Sequence, residues 1–201
     1  MSEPAVTLTD FALALECWVF AALLMHHGRD ILRTWWALFF GAVGFAAFIG
    51  GLVHGFFPNH QVLWIATMLT LGFAGVAAWF IGSHLLGVSW IRPVAIVLAV
   101  AYATVVLFVN RTFLMAIIMY LPATLFLLVA IGASWARVRS RELMLGVVGL
   151  VLTFIAAAVQ QVKVAIHPLY FDHNALYHLI QFVALWLIFI AAKRPSIAPA
   201  S

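Results

Sequence analysis

Charge is what this 201-residue chain has least of: only 8% of its residues are Asp, Glu, Lys or Arg, against about a quarter in an ordinary soluble domain. With 67% hydrophobic residues and a mean hydropathy of +1.16, that scarcity excludes a soluble enzyme domain, a disordered chain and a single-anchor protein. Cysteine is nearly missing as well. Cys17 alone cannot close an internal disulfide or supply a thiolate metal site. Ten-residue segments of alternating polarity are lacking, which excludes membrane-spanning β-strands. No sequence repeat relates the two halves, so a transporter built on inverted repeats is not supported.

What is present is a succession of apolar runs, each near the roughly 20 residues that a helix needs to cross a bilayer core. Polar breaks delimit seven: Leu8–Met25, Trp35–Phe57, Val62–Leu86, Val94–Val109, Phe113–Ala136, Leu143–Ala165 and Ala175–Ala192. The expected fold is an all-α, polytopic, seven-transmembrane helix bundle. It forms one domain, because 201 residues leave no room for a second, with Lys193–Ser201 as a disordered tail. Met1–Asp10 carries Glu3 and Asp10 but no Lys or Arg, so the first run reads as a span and not as a cleavable signal peptide.

Basic residues set the orientation, since cytoplasmic loops retain them. Odd-numbered breaks hold Arg29, Arg33, Arg92, Arg137, Arg139, Arg141, Lys193 and Arg194; even-numbered breaks hold only Arg111. The N-terminus is expected outside and the C-terminus in the cytoplasm. This scatter also argues against nucleic acid as the partner, despite a sequence pI near 9.7. Membrane lipids are the expected partners, with homo-oligomerisation or a partner subunit left open. The Ala-, Val-, Leu- and Trp-rich composition with short loops suits a bacterial inner membrane.

Gly41, Gly44, Gly51, Gly55, Gly72, Gly75 and Gly82 read as small residues for close helix approach. Pro122 is expected to kink span five. Trp18, Trp35, Trp36, Trp64, Trp90 and Trp186 read in part as interfacial anchors.

Ionisable side chains inside spans are costly, and so they mark candidate sites. At about 1.5 Å per residue, Asp10, His54, Lys163 and His178 fall within roughly two turns of the outer face, with Glu16 and Gln160 a turn deeper. Asn174 and Gln181 join them, as do His167, Asp172 and His173 of the last outer loop. Asn174, His178 and Gln181 share one helical stripe, and Gln160, Lys163 and His167 another. Two facing stripes imply a polar pocket open to the outer face. Imidazoles at His54 and His178, completed by His173, His167, Asp10 or Glu16, form a donor set that suits zinc. His173 and His178 are five residues apart, so they share a metal only if His173 precedes the helix, with Asp172 as N-cap.

On these features the chain resembles the seven-span superfamily that joins alkaline ceramidases and adiponectin-receptor-like proteins, often called CREST. The likeness rests on the seven-span frame and two short stretches, Gly50-Gly-Leu-Val-His54 and Asp172-His-Asn-Ala-Leu-Tyr-His178. Members carry Ser-x-x-x-His at the first and His-x-x-x-His at the second; here the serine is Gly50 and the pair reads Asn174-x-x-x-His178. No acidic residue lies between Pro58 and Leu86, where the family has one early in span three.

The resemblance implies a zinc-dependent hydrolase. Zinc-activated water would attack a lipid amide from the outer leaflet, with Glu16 or Asp10 as general base and Lys163 or Gln160 stabilising the oxyanion. A calcium site at the acidic start of span one belongs to the ceramidase pattern, which Asp10 and Glu16 match only in charge. Two readings compete. One is a non-catalytic receptor-like bundle or structural subunit with a polar ligand pocket; the other is a haem protein ligated by His54 and His178. A retinal protein is disfavoured because Lys163 lies near the outer end, and an ion channel because spans three to five are nearly bare of polar residues.

Overall fold

A computed structural model describes residues 2–26, 30–167 and 170–194. His27, Arg29, Pro168 and the tail Pro195–Ser201 lie outside the described residues. The described chain is helical throughout its elements, in the order α1 (Pro4–His26), α2 (Ile31–Gly55), α3 (Gln61–Leu86), α4 (Ile91–Phe108), α5 (Phe113–Val138), α6 (Arg141–Gln161) and α7 (His173–Ala192). All seven are long and apolar enough to cross a membrane.

Polar residues set the helix boundaries by satisfying end groups that the helix itself cannot. Asp30 caps α2 by accepting from the Arg33 amide, Ser140 caps α6 through Leu143, and Asp172 caps α7 through the amides of Asn174 and Ala175. At the far ends, Gly87 after α3 and Arg139 after α5 adopt the left-handed conformation that closes a helix. Two boundaries differ from the sequence expectation in ways that matter below. α1 begins at Pro4 instead of Leu8, which brings Glu3 to the rim of the bundle. α6 stops at Gln161 instead of Ala165: Lys163 turns left-handed at φ 57, and His167 forms an isolated bridge with Phe171. Pro168 in the sequence disfavours helical geometry at the residue before it. Lys163 is thus a loop residue, a second basic group in the even-numbered breaks.

α1 packs on α2, α2 on α3, α3 on α5, α6 on α7, and α7 returns to α1. α4 rests mainly on α3 and is the least buried of the seven, with only Ala95, Tyr102 and Val106 of its 18 residues buried. α5 continues through Pro122 from Phe113 to Val138. Where helices touch, glycine governs the approach. A Cβ at Gly149 of α6 would stand 2.6 Å from the Ala184 carbonyl oxygen of α7, so any larger residue forces the two backbones apart. Gly51 and Gly55 admit Phe11 and Thr7 of α1 in the same way, whereas Gly41 faces open space and serves no contact.

The even-numbered loops and the N-terminus meet at one end of the bundle, here the N-terminal face; the odd-numbered loops meet at the other, the C-terminal face. The core is concentrated toward the C-terminal face, where Phe20, Leu24, Trp36, Phe39, Phe40, Ile81, Ile131, Ile188 and Phe189 interlock. Phe20 stacks flat on Phe189 at 4.1 Å and meets Phe40 edge-on at 5.4 Å. Trp36 is therefore a core residue and not an interfacial anchor. A smaller cluster of Met68, Tyr102, Val106, Ala116 and Met119 joins α3, α4 and α5.

Candidate functional site

Toward the N-terminal face the helices separate around a cavity of about 300 Å³, at the lower end of the roughly 300–1,000 Å³ typical of small-molecule sites. Every helix except α4 contributes to its wall. The apolar part is built from Leu13, Val43, Leu71, Phe113, Leu121 and Phe154. Asp10, His54, Gln160, Asn174, His178 and Gln181 supply a polar patch at the level where α1, α2, α6 and α7 converge. Six of the residues that the sequence marks therefore do share one pocket.

Asp10 and His178 form the centre of that patch. His178 Nε2 lies 3.3 Å from Asp10 Oδ1, and both side chains are almost fully buried. The other imidazole nitrogen, Nδ1, is 3.0 Å from the Thr9 hydroxyl. Thr9 already directs its proton to the carbonyls of Ala5 and Val6, each at 2.9 Å, so its oxygen accepts from His178 Nδ1–H. With Nδ1 as the donor to Thr9, Nε2 is the nitrogen that faces Asp10 Oδ1, and a proton held between those two atoms makes their hydrogen bond. Asp10 Oδ2 is buried and has no hydrogen-bond partner among the described residues. A Cβ built at Gly50 would meet it at 3.5 Å, ordinary contact distance, so the missing side chain at Gly50 keeps the space beside this oxygen clear.

Gln181 presents a second unmet acceptor. The Thr153 hydroxyl donates to the Gly149 carbonyl at 3.2 Å and receives a long hydrogen bond from Gln181 Nε2 at 3.5 Å. This orientation leaves the buried Gln181 Oε1 without a partner among the described residues. Gln160 donates weakly to Asn174 Oδ1 at 3.4 Å and accepts from Gln161 at 2.6 Å, tying the ends of α6 and α7 together.

The other expected residues lie elsewhere. Glu16 is buried with both carboxyl oxygens unpartnered among the described residues, but it is not on the cavity wall. Lys163 and His167 are exposed on the α6–α7 connection, where His167 Nδ1 accepts from the Tyr170 amide. The expected stripe of Gln160, Lys163 and His167 does not form, because the helix that would align them ends first. His173 opens α7 instead of preceding it, and Asp172 is the cap; neither lines the cavity.

Sequence reasoning overlooked Thr9, Thr153, Tyr120 and Tyr177. Thr153 could have been found, since it lies seven residues before Gln160 and so on the same helical face. Thr9 could not, because its role depends on how α1 meets α7.

As a donor set for zinc the histidines are not assembled. His54 Nδ1 is held by Glu3 Oε2 at 2.6 Å, and both nitrogens of His178 are engaged by Thr9 and Asp10. Among the described residues no group of three or more His, Cys, Asp or Glu is placed to hold a metal ion. No curated protein and no solved structure matches the chain, so the ceramidase and adiponectin-receptor likeness rests on the seven-span frame and the two short stretches. One family model does match, over residues 5–196 and hence through all seven helices. By that match the chain belongs to DUF6962, a family of unknown function.

Proposed function

We propose that this protein is a multi-pass membrane protein that takes an amphiphilic ligand into the cavity between its helices. The apolar wall receives the chain, and the polar patch reads a hydroxyl, amine or amide N–H. The observation that carries this reading is the pair of unmet acceptors, Asp10 Oδ2 and Gln181 Oε1, on two residues of the polar patch that lines the cavity. A buried polar atom without a partner costs about 1–3 kcal/mol, and a donor on a ligand removes that cost. The excess of basic residues at the C-terminal face supports an orientation with the N-terminal face, and the cavity with it, on the non-cytoplasmic side, and the Ala-, Val-, Leu- and Trp-rich composition supports a bacterial inner membrane.

The reading is tested with the full chain in a neutral maltoside detergent, titrated with decanol and with decane. Decanol is expected to bind about tenfold more tightly. The preference weakens in Gln181→Met, which keeps the volume but removes one of the two acceptors, and all binding disappears in Leu71→Trp, which fills the cavity. Equal uptake by wild type and Leu71→Trp defeats the proposal.

A hydrolase is the second reading, favoured by the Asp10–His178 pair, whose shared proton could be exchanged with a substrate in the cavity. Elemental analysis decides whether a metal belongs to it. About one zinc per chain, lost in both His54→Ala and His178→Ala, would move the conclusion to hydrolysis.

A further inference from the structure

Above the cavity, at the N-terminal face, lies a vestibule of about 500 Å³ bordered by Glu3, His54, His60, Gln61, Trp64 and Arg111. His54 and Trp64 also line the inner cavity, so the two chambers share a wall. Their polar chemistry differs. The inner chamber is lined by the residues that carry the two unmet acceptors; the vestibule adds a guanidinium with N–H groups to spare.

That group belongs to Arg111. Its guanidinium gives one N–H to Gln61 Oε1 and one to the Leu107 carbonyl, both at 3.0 Å. Both partners are neutral, and no carboxylate pairs with Arg111 among the described residues. Three of its five N–H groups remain for a ligand. The Trp64 indole N–H donates to the Arg111 carbonyl at 2.7 Å, which fixes the backbone that carries the guanidinium. By accepting from Arg111, Gln61 Oε1 leaves the Gln61 amide N–H groups as further donors. His60 is held in one tautomer, because its Nδ1 accepts from the Leu63 amide at 3.3 Å, so its Nε2 carries a hydrogen. The one vestibule carboxylate, Glu3, is drawn against His54 at 2.6 Å, while Ser2 ties the chain end down through its hydroxyl to the His54 carbonyl.

We infer that the vestibule is a binding site for a phosphate group, held by Arg111 with Gln61 and His60. A planar guanidinium with free N–H pairs matches phosphate oxygens two at a time. The shared wall makes a phosphate-bearing amphiphile the natural occupant, with its head at Arg111 and its chain in the inner cavity; a free phosphate ion is the other source of the same chemistry. Only the placement of the chain rests on the proposed function above. The phosphate site stands on the vestibule residues alone.

The test uses the full chain in neutral maltoside and three probes, decyl phosphate, decanol and inorganic phosphate. Two readouts are taken, the dissociation constant and protection of Arg111 from phenylglyoxal, followed by peptide mass spectrometry with the other arginines as internal controls. Decyl phosphate is expected to bind about tenfold more tightly than decanol and to protect Arg111. That advantage is lost in Arg111→Gln and retained in part in Arg111→Lys, which preserves charge and guards against a folding artefact. Protection by inorganic phosphate at concentrations as low as those of decyl phosphate supports the anion site and overturns the lipid head as its source. Protection by inorganic phosphate without uptake of either decyl compound supports the site while the inner-cavity reading fails. Equal binding of decanol and decyl phosphate, with Arg111 modified at the same rate in the presence of each, overturns the inference and leaves the inner cavity untouched.

Discussion

Toward the C-terminal face, Phe20, Phe40, Phe189 and their neighbours interlock between the helices; toward the N-terminal face, the same helices enclose a cavity of about 300 Å³ that is rimmed by buried polar groups. One chain thus builds a packed end and a hollow end from the same apolar alphabet. The difference lies in side-chain size and pairing. Stacked aromatic rings interlock at one end, while Gly50, Ala46, Ala47 and Ala157 leave space at the other and concentrate the polar residues around it. A densely packed half supplies the stability that lets the other half hold groups whose hydrogen bonds are incomplete.

Several substitutions would break or sharpen this contrast. Phe40→Ala removes a fully buried ring from the interlocked end and is expected to cost about 3–5 kcal/mol, whereas Leu71→Ala on the cavity wall enlarges an existing space and costs far less; thermal unfolding of both variants in one detergent measures the gap. His178→Leu strands Asp10 without its partner and is expected to cost about 3–5 kcal/mol. The double change Asp10→Leu with His178→Leu should recover most of that while weakening the preference for a ligand donor, and a double-mutant cycle gives the coupling.

Gly50→Ser is a gentler change. Its hydroxyl would lie beside Asp10 Oδ2, where a Cβ already fits at 3.5 Å. The expected result is about 0.5–1.5 kcal/mol of added stability together with weaker decanol binding, because the protein then satisfies the acceptor itself. Unchanged decanol affinity would show that this oxygen does not read the ligand. Lys163→Ala and His167→Ala should each stay within about 0.5 kcal/mol of wild type and leave ligand binding unchanged, since both sit on the connection outside the cavity.

The last pair shows where the sequence was misleading. Gln160, Lys163 and His167 have helical spacing, but spacing aligns side chains only while the helix continues, and α6 stops at Gln161. Asn174, His178 and Gln181 have the same kind of spacing on a helix that does continue, and all three line the cavity. The separation of Asp10 from Glu16 was legible only in part. Both are acids in the first span, yet only Asp10 faces the cavity, because the rotation of α1 is set by the close fit of Phe11 and Thr7 against Gly51 and Gly55.

Hydropathy alone determined that there are seven helices, because each run must be long and apolar for a simple thermodynamic reason: backbone polar groups in lipid have to be satisfied within the helix. The scarcity of charge likewise determined that the few ionisable residues inside the runs would be the ones to examine. Only the tertiary structure decided which of them meet. Whether Asp10 reaches His178, whether Glu3 occupies His54, and whether Arg111 stands over the same cavity all depend on helix rotation and on where helices end. Those are settled by contacts between residues distant in the chain, which no local pattern encodes.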